Sequence, residues 1–234
     1  MKDDSEINLR SMREMYSNRY DIHGHSRKTL GWFKRKQEMR FMILTSEFQR
    51  LGAIPSITDI GCGFGDLNFY LAKQKIDYTY LGIDCVEQFI TKASELHAKE
   101  NIEFQIGNYL EENMPECDYS IGSGIFNYKF NAIDNYHYID AVIEKAFKLS
   151  RVGVAFDFLS NKVDYQKYEH TFHSDPKTIL DIGYKYTRNL SLRNDYAPFE
   201  FSLFLFKEDR FDEEDTVFNR FKRYNKIKTV PELS

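Results

Sequence analysis

Residues 58–66 read Thr58-Asp59-Ile60-Gly61-Cys62-Gly63-Phe64-Gly65-Asp66, so three alternating glycines follow directly on a short apolar run. Glycine adopts positive φ at no steric cost, and it puts no Cβ atom between the backbone and a ligand. The pattern predicts a strand over 56–60 and a helix over 66–75. A glycine-rich turn between a strand and a helix indicates a ligand site beyond the carboxyl end of a parallel strand.

The segments on either side of this turn alternate between strand and helix patterns. Before it, residues 5–20 predict a polar helix, and residues 34–51 predict an amphipathic helix that stops at Gly52. After it, the pattern predicts strands over 78–84, 102–107, 117–123 and 152–158, and helices over 85–98, 135–149 and 176–186. Asp175 and Pro176 have the residue types of an N-cap and a first helical position.

The last two predicted strands, 190–196 and 199–207, are separated only by Ala197-Pro198. A parallel crossover needs many more residues, so these strands form an antiparallel hairpin. Strands that alternate with helices indicate a doubly wound sheet. We therefore expect an α/β fold: a Rossmann-like sheet of seven strands, mostly parallel, with an antiparallel hairpin at its C-terminal end.

Three features distinguish this turn from an ordinary glycine-rich loop. Asp66 stands where a dinucleotide fingerprint has its last glycine, which disfavours NAD. Asp84 ends the next predicted strand, 19 residues after Gly65, where a carboxylate can accept hydrogen bonds from ribose hydroxyls. Asn108 follows the third strand, where an amide can pair with an adenine amino group. The pattern therefore indicates a nucleoside-containing ligand.

Residues 58–66 and the run Tyr80-Leu81-Gly82-Ile83-Asp84 resemble the cofactor-binding motifs of class I S-adenosylmethionine-dependent methyltransferases. The resemblance extends from about residue 20 to 207, and the run Ser123-Gly124-Ile125-Phe126-Asn127 is similar to a small bacterial branch of that superfamily. It implies S-adenosyl-L-methionine as the cofactor. It also implies a set of cofactor-binding residues: Trp32, Asp59, Gly61, Cys62, Gly63, Gly65, Asp84, Cys85, Val86, Asn108, Tyr109, Ser123, Gly124 and Phe126. The family often has Asp where this chain has Asn108, and an amide still pairs with adenine.

The acceptor side is less constrained by the sequence. Because the cofactor carries the activated methyl group, a protein base is needed only for a hydroxyl or a protonated amine. His137, Asp157 and His173 are the candidate catalytic residues, each with packing or surface exposure as an alternative. Candidate substrate residues lie after the fourth and fifth strands: Asn127, Tyr128, Tyr165 and Tyr168. No spacing of ligands predicts a metal site.

The leading hypothesis is methyl transfer to an oxygen or nitrogen atom of a small polar acceptor, such as a sugar or a cell-surface polysaccharide precursor. The alternatives are an RNA or protein methyltransferase and a non-catalytic module that binds S-adenosylmethionine. Residues 123–127 lack the Pro-Pro motif of enzymes that methylate nucleic-acid amino groups. The basic residues Arg27, Lys28, Lys34, Arg35, Lys36 and Arg40 form the best candidate surface for RNA or another anionic substrate, and a solvated helix face explains them as well.

The bulk composition narrows the class of protein. The chain has 234 residues, 42% hydrophobic, with a net charge of −4, which argues against broad attraction to nucleic acid or an anionic membrane. The three cysteines follow no disulfide or metal pattern, and the acidic N-terminus has no apolar run behind it. We expect a cytoplasmic monomer or homodimer without a membrane span. We expect one domain over 1–207 with an N-terminal helical cap over about 5–51, and a charged helical tail over 208–234.

Overall fold

The computed structural model describes residues 2–31, 36–48, 55–74 and 76–207, and its strands form a seven-stranded sheet. In chain order the strands are β1 (Ser56–Ile60), β2 (Thr79–Asp84), β3 (Ile102–Ile106), β4 (Cys117–Gly122), β5 (Ser150–Leu159), β6 (Leu190–Arg193) and β7 (Glu200–Phe206). Their spatial order is β3-β2-β1-β4-β5-β7-β6. β1 to β5 pair in parallel, and β7 pairs antiparallel with both β5 and β6. The predicted sheet and its terminal hairpin are therefore confirmed.

Apart from the second one, the helices begin and end close to the predicted positions. They are α1 (Lys2–His23), α2 (Lys36–Leu44), α3 (Asp66–Ala72), α4 (Glu87–His97), α5 (Asn135–Leu149) and α6 (Pro176–Tyr184). The predicted cap of α6 is confirmed, because the Asp175 carboxylate accepts from the Thr178 amide with Pro176 at the first turn. Asp134 caps α5 in the same manner by accepting from the Tyr136 amide.

Helix α2 is shorter than the predicted helix over 34–51. After Leu44 the chain tightens, since the Ser46 amide donates to the Ile43 carbonyl and the Phe48 amide donates to the Thr45 carbonyl. These i to i+3 hydrogen bonds are typical of a last turn that leaves the α-helical path. The apolar spacing persists through this turn, so periodicity alone could not locate the end of the helix.

Both faces of the sheet are covered, as alternation along β5 and β7 shows. Phe156 and Leu203 pack into one apolar cluster with α5 and α6. Ala155 and Phe204, the neighbours of those residues in the chain, pack into a second cluster on the opposite face with α2 and α3. Strands buried on both faces carry continuous apolar runs, which accounts for the apolar character of 152–158 and 199–207.

The strand order reverses between β1 and β4, which are neighbours although two strands intervene in the chain. Ligands of open α/β sheets bind beyond the carboxyl ends of the strands at such a switch point. The described residues contain no helix both long and apolar enough to cross a membrane. The division into a domain over 1–207 and a tail over 208–234 stays a prediction, because the tail lies outside the described residues.

Candidate active site

The glycine-rich turn follows β1 at the switch point. Gly61, Gly63 and Gly65 have φ of 68°, 55° and 75°, a region that other residues adopt only with strain. The amides of Gly61 and Cys62 donate to the Ile83 carbonyl at 2.8 and 3.1 Å, which ties the turn to the end of β2. The three glycines therefore permit the turn, and the neighbouring strand anchors it.

A cavity opens above this turn between the ends of β1, β2 and β4 and the loop after β3. Eleven of the fourteen predicted cofactor residues line it: Asp59, Gly61, Cys62, Gly63, Asp84, Cys85, Val86, Asn108, Tyr109, Ser123 and Gly124. Its space is about 1010 Å³ with the open solvent in its mouth included. We call it the cofactor cavity from here on.

Two predicted cofactor residues in the described part of the chain, Phe126 and Gly65, do not line this cavity. Phe126 is 2% exposed and stacks on Phe158 at 5.1 Å, so its ring belongs to the core beneath the site. Gly65 begins α3, and a Cβ atom there would come within 2.9 Å of the Phe104 ring, so close packing explains this glycine. Trp32 lies outside the described residues. The placements of Phe126 and Gly65 depend on contacts with side chains that are distant in the chain, and a sequence motif does not reveal such contacts.

The Asp84 carboxylate occupies the centre of one wall of the cofactor cavity. Its two oxygens accept from the amides of Gly63 and Val86, each at 2.9 Å. Burial raises the pKa of Asp84 to about 6, and these amide donors offset part of that rise. A carboxylate oxygen has a second lone pair, so each oxygen can also accept from a hydroxyl of a ligand. Asp84 thus orders the glycine turn and faces the cavity at once.

Asp59 lies deeper, at the end of β1. The Tyr80 hydroxyl donates to its carboxylate, at 2.5 Å between the oxygens. Burial raises the pKa of Asp59 to about 7; the bond from Tyr80 opposes the rise, and the charges of Asp84 and Asp66 add to it. Asp66 in turn accepts from the Gln37 side chain at 2.7 Å, which connects α2 to the start of α3. Gln37 also lines the cofactor cavity.

Two contributions to the cofactor cavity were not predicted from the sequence. Leu9, Met12 and Tyr16 of α1 form part of its wall. Lys145 of α5 donates to the carbonyls of Tyr109, Leu110 and Glu112 at 2.6, 3.1 and 2.6 Å, and so holds the loop after β3 in place. Burial lowers the pKa of Lys145. The spacing of residues in the sequence could not have revealed the role of Lys145, since Lys145 lies more than 30 residues from its partners.

A second cavity lies beside the first and is lined mainly by the loops after β4 and β5. The four predicted substrate residues, Asn127, Tyr128, Tyr165 and Tyr168, all line it. Tyr16, Leu30, Gly124 and Tyr128 line both cavities and form a shared wall. The Asn127 side-chain oxygen is buried and has no hydrogen-bond partner among the described residues. We call this space the acceptor cavity.

His173 is the candidate base that lines the acceptor cavity. Its Nδ1 lies 2.7 Å from the Ser160 carbonyl oxygen. A carbonyl oxygen can only accept, so Nδ1 carries the proton and Nε2 of the neutral ring is left as the acceptor nitrogen. His137, by contrast, has a side chain 88% exposed beside Asp134 at the start of α5, and it lines neither cavity.

Asp157 belongs to a buried polar network beneath the shared wall. Its carboxylate accepts from the Ser123 hydroxyl at 2.6 Å and from the Gly124 amide at 2.7 Å. The guanidinium of Arg40 lies 3.9 Å from Asp157 and donates to Glu200 at 2.6 Å. Burial raises the pKa of Asp157, and Arg40 offsets part of that rise. Asp157 therefore holds the loop after β4, which lines both cavities.

The predicted basic surface is changed by the fold. Arg40 is 5% exposed and paired in the network just described, so it does not belong to a solvated face. Its burial follows from the partners that β5 and β7 supply, which lie more than 100 residues away in the chain. Arg27 and Lys28 are exposed. Lys34 and Arg35 lie outside the described residues.

Comparisons with known proteins agree with this arrangement. A family model described as "Methyltransferase domain" matches residues 55–180. The Mycobacterium tuberculosis protein named "Putative methyltransferase Rv1506c" is 29% identical over 157 residues, which covers 65% of this chain and 93% of that protein.

Solved structures agree on the fold. Magnesium protoporphyrin IX methyltransferase from Synechocystis PCC 6803, solved with bound S-adenosylmethionine, matches with a TM-score of 0.60 and 15% identity, over 89% of this chain and 98% of that chain. A structure from Listeria monocytogenes, described as an S-adenosylmethionine-dependent methyltransferase, matches with a TM-score of 0.56 and 14% identity, over 74% of this chain and 100% of that chain. The family model matches more than half of the chain, and the cofactor motifs lie together in one cavity. This chain therefore belongs to the class I S-adenosylmethionine-dependent methyltransferases.

Proposed function

We propose that this protein transfers a methyl group from S-adenosylmethionine to an oxygen or nitrogen atom of a small polar acceptor bound in the acceptor cavity. The observation that carries the proposal is the wall that the two cavities share. Tyr16, Leu30, Gly124 and Tyr128 line both spaces, so the two cavities adjoin, and methyl transfer would take place where they adjoin. Transfer between bound partners depends mainly on such alignment.

The cofactor cavity fits a nucleoside attached to an amino acid. We assign the ribose hydroxyls to Asp84 and the adenine to Asn108 and Tyr109, with the glycine turn and Asp59 at the methionine end. When bound, the cofactor supplies the activated methyl group. The protein contributes a ready acceptor for hydroxyls in Asp84, and a loop that Lys145 holds against the site through three hydrogen bonds.

Replacement of Asp84 by Ala is expected to weaken S-adenosylhomocysteine binding by 10-fold or more, roughly 1.4 kcal/mol. The substitution removes the proposed ribose acceptor and also the partner of the Gly63 and Val86 amides. Calorimetric titration of the folded variant measures the change. Glu103→Ala is the matched control, since Glu103 is an exposed carboxylate on the adjacent strand β3 and lines neither cavity. Equal affinities of the Asp84→Ala variant and the wild type would refute the ribose assignment.

On the acceptor side, we assign the role of general base to His173. Its Nε2, when unprotonated, can take a proton from a hydroxyl as the new O–C bond forms and the S–C bond of the sulfonium breaks, or from an ammonium before its nitrogen attacks, while the Ser160 carbonyl holds the ring. Asp157 has both oxygens engaged by Ser123 and Gly124, so we assign it a positioning role. We give His137 no catalytic role, because it lines neither cavity.

The lining of the acceptor cavity favours a small hydroxylated molecule such as a sugar or a polysaccharide precursor. Tyr165 and Tyr168 offer aromatic surface, and His173 Nε2 offers an acceptor for a hydroxyl group. A concave site with aromatic walls and a few polar groups is typical of small-molecule binding. RNA or protein methylation, the alternative, calls for an extended surface beside the site.

Labelling separates these functions. The protein is incubated with S-adenosylmethionine labelled in its methyl group and with a bacterial extract separated into low-mass molecules, RNA and protein. We expect the label in the low-mass fraction, and we expect it to be reduced with Asp84→Ala. Label in RNA or protein would favour the alternative substrates. S-adenosylhomocysteine binding without label in any fraction would favour a non-catalytic binding module.

A further inference from the structure

Arg19 of α1 lines the acceptor cavity with a half-buried side chain. Its guanidinium lies over the ring of Tyr16, 5.6 Å from the ring centre. Within the residues that the structure describes, no carboxylate lies within ion-pair distance of it. A guanidinium is charged at every physiological pH and has five N–H donors, so in the part of the chain that the structure describes these donors are available to a ligand.

Two other described arginines, Arg10 and Arg40, are paired with carboxylates. Arg10, on the same helix, donates to Glu14 at 3.0 Å. Arg40, in the wall of the same cavity, pairs with Glu200 and Asp157. Arg19 therefore differs from Arg10 and Arg40 in having an aromatic ring beside it where they have carboxylates.

The backbone also restricts Arg19. A Cβ atom at Gly31, where φ is 72°, would lie 3.3 Å from Arg19 Nη1. The guanidinium thus lies against the Gly31 backbone and over Tyr16, two residues that also line the acceptor cavity. A planar group held between two surfaces keeps its fork of donors in one orientation, and that fork matches the paired oxygens of a carboxylate or a phosphate.

We propose that the acceptor carries an oxyanion group, a phosphate or a carboxylate, that binds Arg19, in addition to the hydroxyl or amine that is methylated. This inference rests on the proposed function and narrows its substrate class. Glu200 also lines the cavity, and its negative charge would repel an anion. Its carboxylate accepts a hydrogen bond from Arg40, and the positive charge of Arg40 offsets that repulsion. His173 Nε2 would take a hydroxyl donor. The acceptor class is then a phosphorylated sugar or a sugar acid.

The test compares three probes of similar shape, glucose 6-phosphate, glucuronate and glucose, by calorimetric titration of the full chain saturated with S-adenosylhomocysteine. We expect at least one charged probe to bind 10-fold or more tightly than glucose, and the stronger of the two identifies phosphate or carboxylate as the group. In Arg19→Gln this preference should fall to less than 3-fold. Arg10→Gln, an exposed arginine of the same helix, should keep it.

The inference is overturned if neither charged probe binds more tightly than glucose, or if Arg19→Gln keeps the preference. Saturation with S-adenosylhomocysteine before the titration separates this outcome from failure of the proposed function. If the protein binds S-adenosylhomocysteine and labels a neutral low-mass acceptor, the proposed function is supported and the oxyanion inference is contradicted. Transfer of the label to RNA or protein would contradict both the proposed function and the oxyanion inference.

Discussion

Replacement of His173 by Asn is expected to lower kcat by roughly 10²- to 10⁴-fold, the usual contribution of a positioned general base. The Ser160 carbonyl accepts from Nδ1, and in the neutral ring this leaves Nε2 as the proton acceptor of a residue that lines the acceptor cavity. An Asn side chain can still donate to Ser160 through its amide, and it has no basic nitrogen. The variant therefore removes the proton acceptor and keeps the anchoring bond.

The measurement is single-turnover methyl transfer to the acceptor that the labelling experiment identifies. S-adenosylhomocysteine affinity should change little in the His173→Asn variant, since His173 does not line the cofactor cavity. His137→Asn is the control: its side chain is exposed beside Asp134 and should leave kcat unchanged. A kcat for His173→Asn within a few-fold of the wild type would show that no base is needed at this position, as for an acceptor nitrogen that is already unprotonated.

Replacement of Arg40 by Met is expected to lower the free energy of unfolding by about 3–5 kcal/mol. Arg40, Asp157 and Glu200 have side chains 6%, 1% and 3% exposed. Methionine has a similar apolar stem and no charge, so the change leaves two buried carboxylates without their guanidinium. Burial already raises the pKa of Asp157, and loss of Arg40 removes the group that most opposes that rise. Urea unfolding at 25 °C, monitored by circular dichroism, measures the loss.

A surface pair provides the control. Arg193 and Asp195 are 32% and 67% exposed, and Arg193→Met should cost less than about 1 kcal/mol. The double variant Arg40→Met/Glu200→Gln should recover part of the stability, because it removes the charge of one of the two buried carboxylates that contact Arg40 in the wild type. A loss below about 1 kcal/mol in Arg40→Met, or a double variant less stable than the single one, would contradict this account of the network.

The strands and helices could be predicted from the sequence because their causes are local. Apolar periodicity, the Asp175-Pro176 cap and the short spacing between the last two strands each depend on neighbouring residues, and the structure agrees at each of them. The glycine turn could also be predicted from the sequence, since positive φ at Gly61, Gly63 and Gly65 restricts the residue types there. The end of α2 could not be predicted, because Phe48 and Leu51 keep the helical spacing of apolar residues after the helix has stopped.

The site could be predicted only in part. Eleven of the proposed cofactor residues share one cavity because parallel strands bring their carboxyl ends to the same edge. Phe126 was assigned to the cofactor by its position after β4, and its ring instead packs on Phe158 and Phe156 in the core. Neighbours in a loop can point to opposite sides, and only the packed structure distinguishes them.

By itself, the sequence determined the class of fold, the cofactor motifs and the edge of the sheet where they meet, because turn chemistry and periodicity act over a few residues. Only the tertiary structure decided which polar groups face one another: Arg40 with Glu200, Lys145 with the loop after β3, and Ser160 with His173. It also distinguished His173, which lines a cavity, from His137, which is exposed. The reason is physical: charge, burial and hydrogen bonding act through space between residues that are distant along the chain, and no local pattern records those distances.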